Sequence, residues 1–594
     1  MILMHQAKRE YIYPVARNRL AVHLQAPCQS LQKCTMVFWN RFYPKQKSRQ
    51  DLECIGRDGT LDYFITELIF LESSKYLQYF FELKVSGGIV YFSRDGQSHE
   101  PPQSFFEYLS TAERDVYNTP EWAHGAVWYQ IFPDRFHNSL HDNNPADYVS
   151  WGNLPTRENH FGGNLSGILE KLPYLQGLGI QVIYLTPVFL SPSNHKYDTK
   201  DYYQIDPAFG TEQDLIKLVE SCHEIGIRVV LDGVFNHCGY EFAPFQDVLK
   251  NGADSPYANW FYIDNFPVHS DPLNYECVGY YKLMPKLRYD NPEVRKYFLD
   301  VGRFWIRRAK IDGWRLDVAD EVDFTFWQEF RQAIKAENPN ALLLAETWKS
   351  GSDLLRGDQM DSVMNYLFRD ACISFFAQGT IDAATFDARI QRILHNTPVP
   401  LQQVMYNLLG SHDTPRLATL CGEDSRKIQL AVAFQMIFPG MPVVYYGDEI
   451  GLLGENDPDC RRSMNWDNAD NDLHAFFKQM IELRRNSPAI CNGDYRTILC
   501  DGSVYGFTRR CKDEVIYAVI NNSTETRDIT VPIIEGIETI LSIECPISGK
   551  TYKPKLFEGG IQAFNRDIYQ YSSYFTTVLP GYCFEIINIR RKEE

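Results

Sequence analysis

The feature that most constrains this chain is a recurrence of short, strand-like apolar runs through its middle. They occupy residues 127–131, 182–185, 229–234, 313–318, 342–346, 362–365, 404–409 and 443–447, and most are followed by a segment long enough for a helix. Between several of them lie amphipathic stretches, such as 212–224 and 326–336. Eight such alternations predict an α/β chain folded as a (β/α)₈ TIM barrel. Residues 238–290, between the third and fourth runs, are too long for one helix and rich in Tyr, Pro and Asn, so they read as an inserted subdomain.

A barrel absorbs roughly 250 residues or more in one unit, which leaves room for flanking domains in a chain of 594. Residues 1–120 carry short runs such as 20–24, 35–39, 61–65 and 79–83, separated by turn signals at Arg57-Asp58-Gly59 and Gly87-Gly88. That pattern suits an N-terminal β-sandwich. A linker with Thr119-Pro120 follows. The barrel is then expected over 121–237 and 291–500, and a C-terminal all-β domain over 501–594, with runs such as 515–520.

Charge and composition exclude some partners. A formal net charge of −17 repels polyanions, so nucleic acid is not expected. No run approaches the roughly 18 apolar residues of a membrane span. The first ten residues reach charge too soon for the apolar region of a signal peptide. The 14 cysteines are scattered and none are three apart, which argues against a zinc ribbon or a redox dithiol. They read as free thiols in a cytoplasmic protein.

Polar residues fall repeatedly at the ends of the runs. Asp232, Asn236 and His237 close the third, Arg315 and Asp317 the fourth, and Glu346 the fifth, while His412 and Asp413 follow the seventh. Strand C-termini point into the active site of such barrels, so three carboxylates from separate strands converge on one mouth. Like charges raise each other's proton affinity, which keeps one carboxyl protonated near neutral pH. Glycoside hydrolysis needs that division between an acid and an ionised carboxylate. Arg315 lies two residues before Asp317, on the same face of the strand, and is expected to keep it ionised as the nucleophile. Glu346 has no cation beside it in sequence and suits the acid/base role. Any one of these residues alone is ordinarily a turn, a cap or a structural group, and Asp448-Glu449 after the eighth run reads equally as a helix start. The joint arrangement carries the inference.

These residues resemble the signature regions of the α-amylase family (glycoside hydrolase family 13). The segments are Asp232-Gly233-Val234-Phe235-Asn236-His237, Gly313-Trp314-Arg315-Leu316-Asp317, Ala345-Glu346-Thr347-Trp348 and Ser411-His412-Asp413. Residues 127–136 and 440–449 resemble its flanking regions. Met284-Pro285-Lys286-Leu287, with His195, Tyr197 and Asp198, resembles the neopullulanase, cyclomaltodextrinase and maltogenic amylase group. The match is strong from about 127 to 470. It implies Asp317 as nucleophile, Glu346 as general acid/base and Asp413 as the third carboxylate. It implies Arg315, His237, His412, His195, Tyr197 and Asp232 around the cleaved glucose, and Asp457 and Arg461 gripping the non-reducing side. Trp348 resembles a sugar-stacking platform, with a core aromatic as the alternative.

The resemblance implies a retaining hydrolase of α-1,4 bonds, and by extension α-1,6 bonds, in cyclodextrins, pullulan and short maltooligosaccharides, with transglycosylation as a side activity. It also implies a homodimer. Some residues depart from the group. Arg288, Asp320 and Phe324 stand where it tends to have Asn, Asn and His, which bears on acceptor preference. Calcium wants charged oxygens, and the loop after Phe136 offers Leu140, Asn144 and, later, Asn164 instead, so weak binding or none is expected and no cofactor is assigned. His137 and His141 lie on a polar loop and read as solvated histidines, not a zinc site. Three other readings stay open: a glucan transferase of the same fold, a non-catalytic glucan-binding protein, and a metal-dependent barrel hydrolase. The second would have lost a catalytic carboxylate, and the third needs several histidines on one metal.

Overall fold

The structure is a computed structural model that describes all residues except 73, 113–114, 141–147, 470, 513, 559, 561, 565–568 and 592–594. Its centre is an eight-stranded parallel sheet of Trp128–Ile131, Val182–Leu185, Arg228–Gly233, Gly313–Leu316, Leu342–Ala345, Ser362–Val363, Tyr406–Leu408 and Met441–Tyr445. The first strand pairs with both the second and the eighth. A parallel bridge between Met364 and Tyr406 joins the sixth to the seventh and closes the barrel. The strands are buried along almost their whole length, because helices cover the outside and packed side chains fill the inside, which is why they read as continuous apolar runs. The fourth and fifth strands stop at Leu316 and Ala345, so Asp317 and Glu346 sit one residue beyond the ladder.

Helix boundaries follow local chemistry. Glu212–Glu224 opens on a capping box in which Thr211 and Asp214 satisfy each other's backbone N–H groups. It buries Leu215, Leu218, Val219 and Cys222, one helical stripe, against the sheet. A fully buried Leu contributes about 2 kcal/mol. Phe324–Glu337 is longer than the amphipathic stretch 326–336, because Asp323 caps it by accepting from Phe326 N at 3.0 Å.

The segment after the third strand leaves the barrel, forms the helix Ala243–Asn251 and returns through bridges His237–Lys286 and Cys277–Pro285. Those bridges lay Met284–Leu287 along the end of the third strand. The N-terminal strands form a nine-stranded antiparallel sheet. Ser48–Arg57 pairs with both Lys33–Asn40 and Leu61–Ile69, joining two halves whose Leu24, Met36, Phe64 and Phe81 share one core. C-terminal to the barrel, a five-stranded and a three-stranded sheet enclose Val519, Val531, Phe575 and Ile587. No described helix is long and apolar enough to cross a membrane.

Candidate active site

Arg315 is the centre of the mouth. It is fully buried on the fourth strand, and one guanidinium nitrogen lies 2.9 Å from Asp232 Oδ2 and 2.8 Å from Asp317 Oδ1. The other lies 2.9 Å from Glu346 Oε2. One cation therefore serves three carboxylates from the third, fourth and fifth strands. Arg315 reaches Asp317, as its place two residues earlier on the strand suggests, and it also supplies the cation that Glu346 lacks in sequence. Glu346 is 31 residues away in sequence but follows the neighbouring strand, so the same guanidinium reaches both. Charge neighbours alone do not separate nucleophile from acid.

The backbone between them is tightly held. Val318 adopts the left-handed region at φ 46°, unfavourable for a β-branched residue. Its N–H donates to Glu346 Oε2 at 2.9 Å, and Ala319 N donates to Glu346 O at 3.2 Å. The strained turn after Asp317 thus aims the Glu346 side chain.

The protonation states follow from burial. Desolvation pushes the Asp232 carboxyl up to about 6, against the pull of Arg315. Burial, and then Glu346, push Asp317 well above the usual carboxylate range, so Arg315 does not by itself keep this carboxyl ionised, as its place on the strand suggested. Asp232 and Asp317, both raised and both against the same guanidinium, hold on to a proton as a coupled pair. Burial lowers His195 and His237 to about 4, and holds His412 far below its usual value with help from Arg461 and Arg315. All three rings are neutral near pH 7 and contribute hydrogen bonds rather than charge.

The remaining residues surround this centre. Tyr197 donates to Asp232 Oδ2 at 3.0 Å and its ring lies parallel to His412, with centroids 5.4 Å apart. His195 stacks on the same tyrosine and takes the Tyr197 N–H at Nδ1, 3.1 Å. His237 Nε2 donates to Tyr197 O at 3.2 Å. Arg461 ties the far side together, contacting Asp413 Oδ1 at 3.1 Å, Asp457 Oδ1 at 2.8 Å and His412 O at 2.8 Å. Trp348 is 52% exposed and lies flat on Tyr366, centroids 3.8 Å apart, which removes the core-aromatic alternative.

Sequence reasoning missed several members. Tyr184 donates to Asp232 Oδ2 at 2.5 Å, Gln130 contacts His412, and Lys286 contacts Asn236 Oδ1 at 2.9 Å. The available signal for the first two was a polar atom inside an otherwise apolar barrel run. Asp448 and Glu449 do open a short helix, Asp448–Ile450, but both are buried and engaged. Asp448 lies 3.1 Å from buried Arg416, and Glu449 accepts from Tyr129 and Tyr174 at 2.7 and 2.8 Å.

The loop expected to bear on calcium lies partly outside the described residues, His141 and Asn144 included. Its described side-chain oxygens are neutral amides and a hydroxyl, engaged locally. Asn164 Oδ1 accepts from Gly167 N at 2.7 Å and Ser139 Oγ at 2.9 Å, and Asn138 Oδ1 accepts from Leu140 N. That set does not fit a calcium shell of charged oxygens. Among the described residues, no group of three or more His, Cys, Asp or Glu is arranged to hold a metal. His137 faces Glu170 Oε2 at 3.2 Å.

Residues 130–489 match the family model for the α-amylase catalytic domain, and residues 1–112 match the α-amylase N-terminal Ig-like domain. The chain belongs to the α-amylase family. It is 43% identical to a cyclomaltodextrinase of Geobacillus thermopakistaniensis (strain MAS1), an alignment covering 89% of this chain and 92% of that one. Neopullulanase 2 of Thermoactinomyces vulgaris is also 43% identical, over 90% and 93% of the two chains. A solved cyclomaltodextrinase structure superimposes with a TM-score of 0.91 at 34% identity, covering 99% of each chain. The α-amylase-family barrel thus carries the mouth described above on its strand C-termini, where barrel enzymes keep their chemistry.

Proposed function

We propose that this α-amylase-family enzyme hydrolyses α-1,4-glucosidic bonds, and by extension α-1,6 bonds, in cyclodextrins, pullulan and short maltooligosaccharides, with Asp317 as nucleophile and Glu346 as acid/base. The observation that carries this reading is the single buried guanidinium shared by Asp232, Asp317 and Glu346 at the barrel mouth. Two carboxylates touching one guanidinium favour the close spacing of retaining enzymes, about 5–5.5 Å, over the wider gap that an interposed water needs.

In the first step Glu346 gives its proton to the glycosidic oxygen as the bond from that oxygen to C1 breaks, and an Asp317 oxygen bonds to C1. In the second, Glu346 takes a proton from water, whose oxygen displaces Asp317 from C1. Two inversions give net retention, and a sugar hydroxyl in place of water gives transfer. Asp413, steered by Arg461, binds the sugar hydroxyls and stabilises the oxocarbenium-like charge. His195, Tyr197, His237 and His412 line the cleaved glucose, Asp457 and Arg461 grip its far side, and Trp348 offers an exposed aromatic face to the next sugar. We read the segments 1–120, 121–237, 238–290, 291–500 and 501–594 as the domain plan.

We also read the protein as a cytoplasmic homodimer. Phe42 and Tyr43, each 61% exposed on the N-terminal domain, offer apolar surface that a second copy would bury. Among the described residues no cysteine is joined in a disulfide, as a reducing compartment would keep them.

The test is sugar release from β-cyclodextrin, pullulan and soluble starch by wild type and Asp317→Asn. Fast cyclodextrin opening, slow starch attack and silence in the variant support the reading. Rapid starch degradation would make it an open-cleft amylase, and an active variant would overturn the nucleophile assignment.

A further inference from the structure

Gln130 is a polar side chain with no exposed surface inside the first barrel strand. Its Nε2 lies 2.7 Å from Nδ1 of His412. The other ring nitrogen, Nε2, is 2.6 Å from the Tyr197 hydroxyl and 3.3 Å from Asp413 Oδ2. The Tyr197 hydroxyl is itself 3.0 Å from Asp232 Oδ2.

A carboxylate only accepts hydrogen bonds, so Asp232 claims the Tyr197 proton. His412 Nε2 then faces a hydroxyl oxygen whose proton is committed and a second carboxylate. It must carry the ring's N–H. A neutral imidazole has one N–H, so Nδ1 is a bare acceptor and needs a donor. The Gln130 amide nitrogen supplies it, which also fixes which way round the amide sits. Its oxygen is left buried without a hydrogen-bond partner. That uncompensated desolvation is tolerated for what the N–H does.

We propose that Gln130 is a positioning residue that holds His412 in the Nε2–H tautomer and so directs a proton chain from Gln130 through His412 and Tyr197 to Asp232. The inference rests on the assignment of Asp317, Glu346 and Asp413 as the reacting carboxylates. The opposite tautomer would turn a lone pair toward Asp413 and draw the Tyr197 proton away from Asp232. Asp232 would lose a donor beside the guanidinium that also holds Asp317 and Glu346, and the shared proton would redistribute. The charged and titratable groups facing the ring come from every side of the mouth. They are Tyr197 and His195 after the second strand, Arg315 on the fourth, Glu346 after the fifth, Asp413 on the ring's own loop and Arg461 after the eighth.

Two variants of the full chain test this, Gln130→Met and Gln130→Glu, with β-cyclodextrin as substrate across pH 4–9. Gln130→Met keeps the volume and removes the donor, and kcat should fall about 10-fold with KM within about twofold. In Gln130→Glu the carboxylate–imidazole pair keeps the Nε2–H only while it holds one extra proton. Its kcat should therefore survive at low pH and fall as pH rises, moving the alkaline limb of the profile to lower pH by a unit or so. Wild-type kcat and an unmoved alkaline limb in both variants would overturn the proposal, as would loss of folding in both, which would make Gln130 a packing residue. Failure of the underlying site reading is seen separately, as residual turnover by Asp317→Asn with wild-type Gln130.

Discussion

The two ends of the barrel handle buried charge in opposite ways. At the base, Asp361, just before the sixth strand, meets Arg331 at 2.7 Å, Lys335 at 2.9 Å and Leu343 N at 3.0 Å. Asp312, just before the fourth strand, meets Arg228 at 2.9 Å, His223 at 2.7 Å and Val229 N at 2.8 Å. Each base carboxylate has at least one cation and a backbone donor to itself. At the mouth the proportion is reversed, with Asp232, Asp317 and Glu346 sharing Arg315. Burial pushes Asp361 up, yet Arg331 and Lys335 outweigh it and hold that carboxyl below its usual value, whereas Asp317 ends well above. The base carboxylates stabilise the fold, and the mouth accepts instability so that a proton is available for chemistry.

The comparison breaks most visibly in activity. Asp317→Asn should lower kcat on β-cyclodextrin at least about 10³-fold, near 4 kcal/mol of transition-state stabilisation, in a steady-state assay. Asp361→Asn should leave the turnover of folded enzyme nearly intact. It instead strands two half-buried cations beside a buried amide and should cost about 3 kcal/mol of stability, read as a lower denaturant midpoint. Equal activity losses in the two variants would remove the distinction between the barrel's ends.

A smaller effect has the opposite sign. Asp317→Asn relieves crowded negative charge and should raise the denaturation midpoint, by about 1–2 kcal/mol at pH 7. The pH dependence follows. A mouth carboxyl raised in the fold, such as Asp232 at about 6, costs nothing below its unfolded value and destabilises increasingly as pH rises from about 4 through 6. A base carboxyl lowered in the fold contributes above its unfolded value, and that contribution is lost as pH falls. Thermal midpoints from pH 4 to 8 should show the gain from Asp317→Asn growing with pH and the loss from Asp361→Asn shrinking as pH drops. The smallest change is outside the charge cluster. Trp348→Ala should raise KM roughly fivefold with little change in kcat, measured on maltooligosaccharides, because it removes an aromatic face worth about 1 kcal/mol.

Much of this was legible in the chain. The eight apolar runs mark the barrel strands because a parallel strand buried on both faces leaves a continuous apolar stretch. Helix 212–224 was readable from its 3.6-residue stripe. Asp232, Arg315, Asp317, Glu346, His412 and Asp413 stood out because polar residues at strand ends are conspicuous against such runs. The roles of Arg315 were not legible, since its ion pair with Glu346 spans 31 residues and depends on two strands lying side by side. Trp348 was ambiguous for a related reason: an aromatic after a strand can turn inward or lie open, and only the stack on Tyr366 decides.

The sequence by itself determined the periodic pattern of strand and helix, the identity of the polar groups at strand ends and the family to which they belong. Those follow from local propensity and from which side chains avoid water. The tertiary structure alone decided how many carboxylates one guanidinium must serve, which histidine nitrogen carries its proton and which carboxylates are satisfied. Those depend on distances of about 3 Å between residues far apart in the chain, set when the barrel closes and the mouth is desolvated.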